Sequence, residues 1–461
     1  MESRTLKFIA GACAAEIRGG SADTVIQNVV TDSRMAKAGD LFFAIRGEKF
    51  DGHDFIAAVV AKGVAAIVVE KGKVPSPLPV CAVLAVEDVR AAFGQLAAAY
   101  RRQFDLPVIA VGGSNGKTTV KDLIASVLRQ KFATLGNEAS FNNDIGVPMT
   151  LLRLEKTHQA AVLEAGTNHP GELAPLVGII APRFGVITSI GREHLEFFGD
   201  LAGVAQEEGR LAEGLPAEGK LFLNGDGEWA EKIAARARAT VVRVGFGEQN
   251  DWRASKVRLD KNGVTFQAAA PAAELGGEYR VNLLGRHQAV NALLAAAVGA
   301  ELGLTRAEIQ RGLAGCPPPK MRLNFWEAGG VRVLDDCYNA NADSTMAALE
   351  TLCGLPLQGR RVAVLGDMNE LGIHSAAAHA EVGQRAAELG IDQLVTIGKM
   401  AAVTAAAARA AGLMRVFEFA EVGSAARSVK NFLKPGDVVL LKASRTVRLE
   451  QLAEILKAGK T

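Results

Sequence analysis

The residues best suited to chemistry lie in VIAVGGSNGKTTVKDLI, residues 108–124. Gly113 and Gly116 let a turn bend until successive backbone N–H groups converge on one anion. A helix starting at that point adds its positive end. Lys117 is placed to reach the β- and γ-phosphates of a nucleotide, and the Thr118 hydroxyl suits Mg²⁺. Ser114, Asn115 and Thr119 complete the loop. Val120, Leu123, Ile124, Val127 and Leu128 recur at helical spacing after it, and the apolar run before it reads as a buried strand. Val111 stands where the longer GxxxxGK[ST] pattern has glycine, so the chain carries the shorter form Gly-x-x-Gly-Lys-Thr. Such a loop commits the chain to a nucleoside triphosphate and leaves the reaction open.

Other polar residues sit where α/β folds put their sites, at the C-terminal ends of apolar strands. Glu164 ends AAVLEAG, His194 follows FGVITSIG, and Asp336 ends VRVLDD. Lys442, Ser444 and Arg445 end DVVLLKASR, where arginine suits a planar carboxylate. His287 and Asn291 are four residues apart, and therefore share a face if both are helical.

These groups need elements to hold them. The near-continuous apolar strands from residue 108 onward, with helical patterns between several of them, predict a parallel sheet covered on both faces. CPPPKM, near Cys316, breaks the pattern. Beyond it, strands and helices alternate again as a second, smaller doubly wound unit. The expected class is α/β with three domains. Residues 1–85 form a mixed α/β unit, 86–315 a central phosphate-loop unit, and 316–461 a Rossmann-like unit. Leu6, Ile9, Cys13 and Ile17 recur at helical spacing, which favours a helix over a signal-peptide core.

A chain of 461 residues is too long for one core. Apolar residues make up 49% and charged residues 22%, ordinary for a globular protein. A net charge of +2 with scattered basic residues gives no nucleic-acid or membrane-surface signature. No apolar run approaches the roughly 20 residues that span a bilayer. The five cysteines form no CxxC pair, so neither a disulfide framework nor a zinc site is expected, and a cytoplasmic location is.

The short loop resembles that of the Mur ligases and of the folylpolyglutamate synthases. Further stretches, in order along nearly the whole chain, resemble the Mur ligase family, in particular the branch that adds D-alanyl-D-alanine. They are TDSRMAKAGDLFFAIRGEKFDGHDF, GNEASFNNDIGVPMTLL, LEAGTNHPGEL, TSIGREHLEFFG, LLGRHQAVNALLAAA, LDDCYNANADSTMAAL, VLGDMNELG and LLKASRTVRLE. The first argues against a folylpolyglutamate synthase. The Asn-Pro-Arg motif of the ligase that adds the third residue is missing. The rival from another class is a nucleotide-operated switch, whose turnover would be independent of D-Ala-D-Ala.

The resemblance implies an ATP- and Mg²⁺-dependent, monomeric ligase acting on two small molecules, UDP-MurNAc-tripeptide and D-Ala-D-Ala, through an acyl phosphate. It implies Mg²⁺ at Thr118, Glu164 and His194, and catalysis by Lys117, Glu164, His194 and Glu208. ATP falls to the loop with His287, Asn291, Arg322 and Asp336. Ser33, Arg34, Arg46, Gly47 and His53 are implied for the UDP sugar, and Asn142 and Asn143 for the substrate near the loop. Tyr338, Asn339 and Asn341, with Lys442, Ser444 and Arg445, are implied for the dipeptide and acyl phosphate.

The chain departs from the family pattern at several points. Relatives carry Ala-x-x-Lys-Gly-Glu with a carbamylated lysine, whereas here Glu208 stands at the lysine's place and Arg210 at the glutamate's. Glu208 is expected to supply the negative charge directly. Gln288, Met321, Ala342 and Ala443 replace the usual asparagine, glycine, proline and glycine. The break at 317–319 is expected to act as a hinge.

Overall fold

The computed structural model describes residues 1–138 and 140–458. Its strands form three main sheets, in agreement with the expected α/β class. The first has the order Glu16–Gly19, Ala82–Val86, Ala66–Glu70, Leu41–Phe43, Val29–Val30, parallel except at the Glu16–Gly19 edge. The Leu6 helix ends at Ala12, short of the expected reach to Ile17. Ala14 takes a left-handed conformation with φ 49°, and Glu16–Gly19 is then free to pair as a strand. Tertiary pairing overrides the helical period there.

The central sheet has nine strands. Thr134–Gly136, Ala160–Glu164, Val108–Gly112, Phe184–Ile187, Lys220–Asn224, Thr240–Gly245 and Trp252–Asp260 run parallel in that spatial order. Gly263–Ala269 and Gly277–Val281 extend it as an antiparallel ribbon. The phosphate-loop strand is thus internal, flanked by the strands that end in Glu164 and lead to His194. All five residues of Val108–Gly112 and of Ala160–Glu164 are buried. Such strands carry no polar alternation, which is why they read as continuous apolar runs.

Helix Val89–Arg101 joins the first sheet to the central one in a single core. Its Phe93 packs on Phe43 with ring centroids 5.0 Å apart, and its Tyr100 hydroxyl donates to Leu154 O at 2.6 Å. Asp88 starts this helix by accepting from Arg90 N and Ala91 N, an N-cap.

The last sheet has the order Asn324–Ala328, Val331–Asp336, Val438–Lys442, Arg361–Gly366, Gln393–Ile397, Val416–Phe419. All its pairings are parallel except that of the first two strands. Separate apolar clusters fill its two sides, as in a doubly wound unit. The register sets Asp336 beside Lys442 at the C-terminal ends of neighbouring strands.

Candidate active site

A cavity of about 640 Å³ opens where the C-terminal ends of the central and last sheets face each other. Its wall includes the loop Ser114–Thr119 with Asn142, Glu164, His194, His287 and Asn291 on one side. Arg322, Asp336, Tyr338, Asn339, Asn341 and Lys442 lie on the other. The expected residues between 114 and 442, Asn143 and Glu208 excepted, are therefore brought to one place.

The loop is held open by its neighbours. Gly113 has φ +105°, and a Cβ there would lie 2.5 Å from Thr188 Oγ1. Gly116, at φ +91°, leads into helix Lys117–Leu128. Ser114 N donates to Ser189 O at 2.8 Å, and Asn115 N to Ser189 Oγ at 3.0 Å. Thr118 Oγ1 accepts from Arg322 Nη2 at 3.2 Å, so the Arg322 guanidinium already reaches the helix start from the last unit. The same guanidinium lies 4.2 Å from the centroid of Tyr338, a cation–π contact.

Lys117 Nζ donates to Ser114 O and to Glu193 Oε2, both at 3.2 Å. Burial opposes its charge, but the carboxylates of Glu193, Glu208 and Glu164 outweigh it and hold the ammonium above the ordinary lysine range. Burial also raises the Glu193 pKa, with Lys117 and His194 opposing. Glu208 is fully buried and accepts from Gly113 N at 2.6 Å through Oε2, while Oε1 has no partner. Burial pushes its pKa up to about 7, against the pull of Lys117. Glu208 does not line the cavity; it grips the first turn of the loop.

Glu164 accepts from Asn142 Nδ2 at 2.7 Å through Oε1, and its backbone N donates to Asn137 Oδ1 at 2.9 Å. Its Oε2 is buried with no partner, in the cavity wall. An orphaned, buried carboxylate oxygen in the same cavity wall as Thr118 fits a hard cation, the donor class that Mg²⁺ requires. Among the described residues, no group of three or more His, Cys, Asp or Glu is gathered as a metal cluster. His194 instead lies with Nδ1 2.5 Å from Glu370 Oε2 of the last unit, and its Nε2 is 4.0 Å from Glu193.

At the other end, burial lowers the His287 pKa, favouring a neutral ring. Gln288 lies 3.0 Å from that ring and accepts from Asn291 Nδ2 at 2.9 Å. Asp336 accepts from Lys442 Nζ at 2.5 Å and from Leu323 N at 3.1 Å. Asn341 caps helix Ala342–Gly354 through Oδ1, while its Nδ2 donates to Asn115 Oδ1 at 3.0 Å. The capping residue thereby links the last unit to the phosphate loop.

The remaining expected residues lie outside the cavity wall. Asn143 accepts from Gly146 N at 2.9 Å, just before helix Gly146–Leu151. Ser444 is buried and accepts from Asn369 N at 2.9 Å, so it shapes the turn that carries Asn369 and Glu370. Arg445 pairs with Glu450 at 3.2 Å. In the first unit, Arg34 is exposed and bonded to Asp32, and Ser33 O accepts from Lys62 Nζ at 2.8 Å. Arg46 and Gly47 open a turn closed by Gly47 N donating to Phe50 O at 2.9 Å. His53 has both ring nitrogens engaged, with Asp51 at 2.6 Å and Glu70 N at 3.1 Å. Its ring supports that turn from inside.

Glu193, Glu370, Arg192 and Asp343 escaped the sequence reading. GREHLEFFG and VLGDMNELG contain the first three, but their partners are remote: Glu193 meets Lys117 across 76 positions, and Glu370 meets His194 across 176.

Comparison with known proteins agrees with this layout. Residues 25–101 match the Mur ligase family catalytic domain, 111–299 the Mur ligase middle domain, and 321–445 the Mur ligase glutamate ligase domain. The chain is 37% identical to UDP-N-acetylmuramoyl-tripeptide–D-alanyl-D-alanine ligase of Escherichia coli K12, covering 100% of both. It superposes on MurF from Acinetobacter baumannii with a TM-score of 0.91 at 33% identity, over 99% of each chain. It superposes on MurF from Thermotoga maritima in complex with ADP with a TM-score of 0.82 at 26% identity, over 94% of this chain and 97% of that one. Matched in sequence by three consecutive domain descriptions and in structure from end to end, the chain belongs to the Mur ligase family.

Proposed function

We propose that the chain joins D-alanyl-D-alanine to UDP-N-acetylmuramoyl-tripeptide at the expense of ATP, making the pentapeptide precursor of peptidoglycan. The full-length likeness to ligases of that name supports this. The observation that carries it is the shared cavity: a nucleotide loop and the turn 338–341 of the last unit face one space. A switch needs only the first of these.

The γ-phosphoryl group passes from ATP to an oxygen of the tripeptide's terminal carboxylate, and ADP leaves. The amine of D-Ala-D-Ala attacks the acyl carbon, loses a proton, and expels phosphate. Lys117 and the N–H groups at the start of helix Lys117–Leu128 bind the phosphates and offset charge as they crowd together. Arg322 brings a further positive charge to Thr118 from the last unit. Thr118 and Glu164, with His194 as a further candidate, would hold Mg²⁺, which would supply positive charge against the crowded phosphates. Glu208 anchors the loop and, when ionised, sets a negative charge near Lys117 at the place of the relatives' carbamylated lysine. His287 and Asn291 are assigned to the adenine side. Asp336 and Lys442, with Tyr338, Asn339 and Asn341, are assigned to the ribose and acceptor side. The UDP sugar is assigned to the turn bearing Arg46, with Ser33 and Arg34.

We take 1–85, 86–315 and 316–461 as the working units, in a monomer acting in the cytoplasm. Among the described residues, no helix is long and apolar enough to cross a membrane. An oxygen-labelling experiment tests the route. Tripeptide labelled with ¹⁸O in its terminal carboxylate should give released phosphate carrying one labelled oxygen; unlabelled phosphate contradicts acyl-phosphate formation.

A further inference from the structure

The loop after strand Phe184–Ile187 carries more than His194. One side of it is fixed to the phosphate loop, with Gly191 N donating to Ser114 Oγ at 2.8 Å. The other side is gripped by the last unit. Arg192 N donates to Asp343 Oδ2 at 2.7 Å, while Arg192 Nε and Nη2 donate to Asp343 Oδ1 at 2.9 and 2.7 Å. Arg192 Nη1 also donates to Glu381. A Cβ at position 191 would stand 2.7 Å from Asp343 Oδ2, so the carboxylate seats directly against the loop backbone.

Asp343 lies in the first turn of helix Ala342–Gly354, directly after the cavity-lining turn 338–341. With two guanidinium donors on Oδ1 and the backbone N–H on Oδ2, both carboxylate oxygens are held, which fixes orientation as well as distance. The side chains of Arg192, Asp343 and Glu381 are 25%, 35% and 47% exposed, so water reaches the grip and it is able to break and re-form.

We infer that Arg192 is a positioning residue for the ligation: by gripping Asp343 and Glu381 it clamps the acceptor turn against the phosphate loop, so the seat for the incoming amine is completed only when the two units close. This rests on the ligase reading, which makes D-Ala-D-Ala the ligand of that turn. Arg192 touches neither substrate in this account; it acts through Asp343.

The test compares wild type with Arg192→Gln, Arg192→Lys and Glu381→Gln. Arg192→Gln is expected to raise KM for D-Ala-D-Ala about tenfold while calorimetric ADP binding stays unchanged. Arg192→Lys should recover part of the loss, and Glu381→Gln, which removes one arm, should fall between. Small-angle scattering with ADP and D-Ala-D-Ala should show Arg192→Gln more extended than wild type. Unchanged KM and compaction in Arg192→Gln would overturn the inference. So would parallel weakening of ADP and dipeptide binding, which marks mere support of the loop. If wild-type turnover ignores D-Ala-D-Ala, the ligase reading fails, and the scattering comparison with ADP alone still decides whether Arg192 clamps the units.

Discussion

Lys117 is surrounded by more negative charge than a lone phosphate-loop lysine needs, with Glu193, Glu208 and Glu164 all acting on it. Glu193 accepts from Lys117 Nζ at 3.2 Å, so its carboxylate competes with a triphosphate for the ammonium. Glu208 differs, because Gly113 N–H holds it in place and it stays out of the cavity. With its pKa raised by burial to about 7, the folded chain keeps a proton that the unfolded chain has already released. The stabilising contribution is complete at acid pH and is lost as pH rises through about 7. Glu208→Gln removes this titration and keeps an acceptor for Gly113 N–H. Denaturant melts should therefore show a flatter stability profile for Glu208→Gln than for wild type between about pH 5 and about pH 8. Equal slopes would count against a buried, titrating Glu208. Bicarbonate depletion should leave wild-type activity unchanged; restoration by added bicarbonate would contradict direct charge from Glu208. Residue types alone made Lys117, Thr118 and Glu164 legible, because loop spacing and strand ends mark them. Glu193 stayed hidden beside His194, since nothing local reveals a partner 76 positions away.

Helix Lys117–Leu128 and the strands on either side of its loop were readable because fully buried strands leave unbroken apolar runs. The antiparallel ribbon of Trp252–Asp260, Gly263–Ala269 and Gly277–Val281 was not, since its strands mix exposed and buried positions around a register shift. Helix Ala342–Gly354 shows how an element carries function. Asn341, singled out as a ligand-binding residue, caps that helix and reaches Asn115 with the same amide. Loop geometry gives a sharp expectation. Gly113→Ala adds a Cβ 2.5 Å from Thr188 Oγ1 at φ +105°, and left-handed strain alone costs about 1–3 kcal/mol. Calorimetry should show Gly113→Ala with a lowered melting temperature and nucleotide affinity reduced at least about tenfold. Wild-type affinity in that variant would mean that the loop does not cradle phosphate in this form.

Across the whole molecule, the central and last units meet through Arg322 and Thr118, Asn341 and Asn115, His194 and Glu370, and Arg192 with Asp343. Closure of this kind excludes water from an acyl phosphate that water would otherwise hydrolyse. The connection at 317–319 is the proposed hinge, and Met321 and Leu323 just beyond it adopt left-handed backbone at φ 56° and 48°. Scattering should show a smaller radius of gyration when ADP and both substrates are present than without ligands; equal values would remove closure from the account. The start of the last α/β unit was signalled in the sequence by the change of pattern at the proline break. The contacts between units were not, because they join single polar side chains far apart in sequence. The most direct test of the central claim is phosphate release from ATP with UDP-MurNAc-tripeptide and D-Ala-D-Ala together, and with each omitted in turn. Release that requires both, matched one for one by UDP-linked pentapeptide, is the predicted result. Release that persists without either substrate, or its absence when both are supplied, would contradict the ligase.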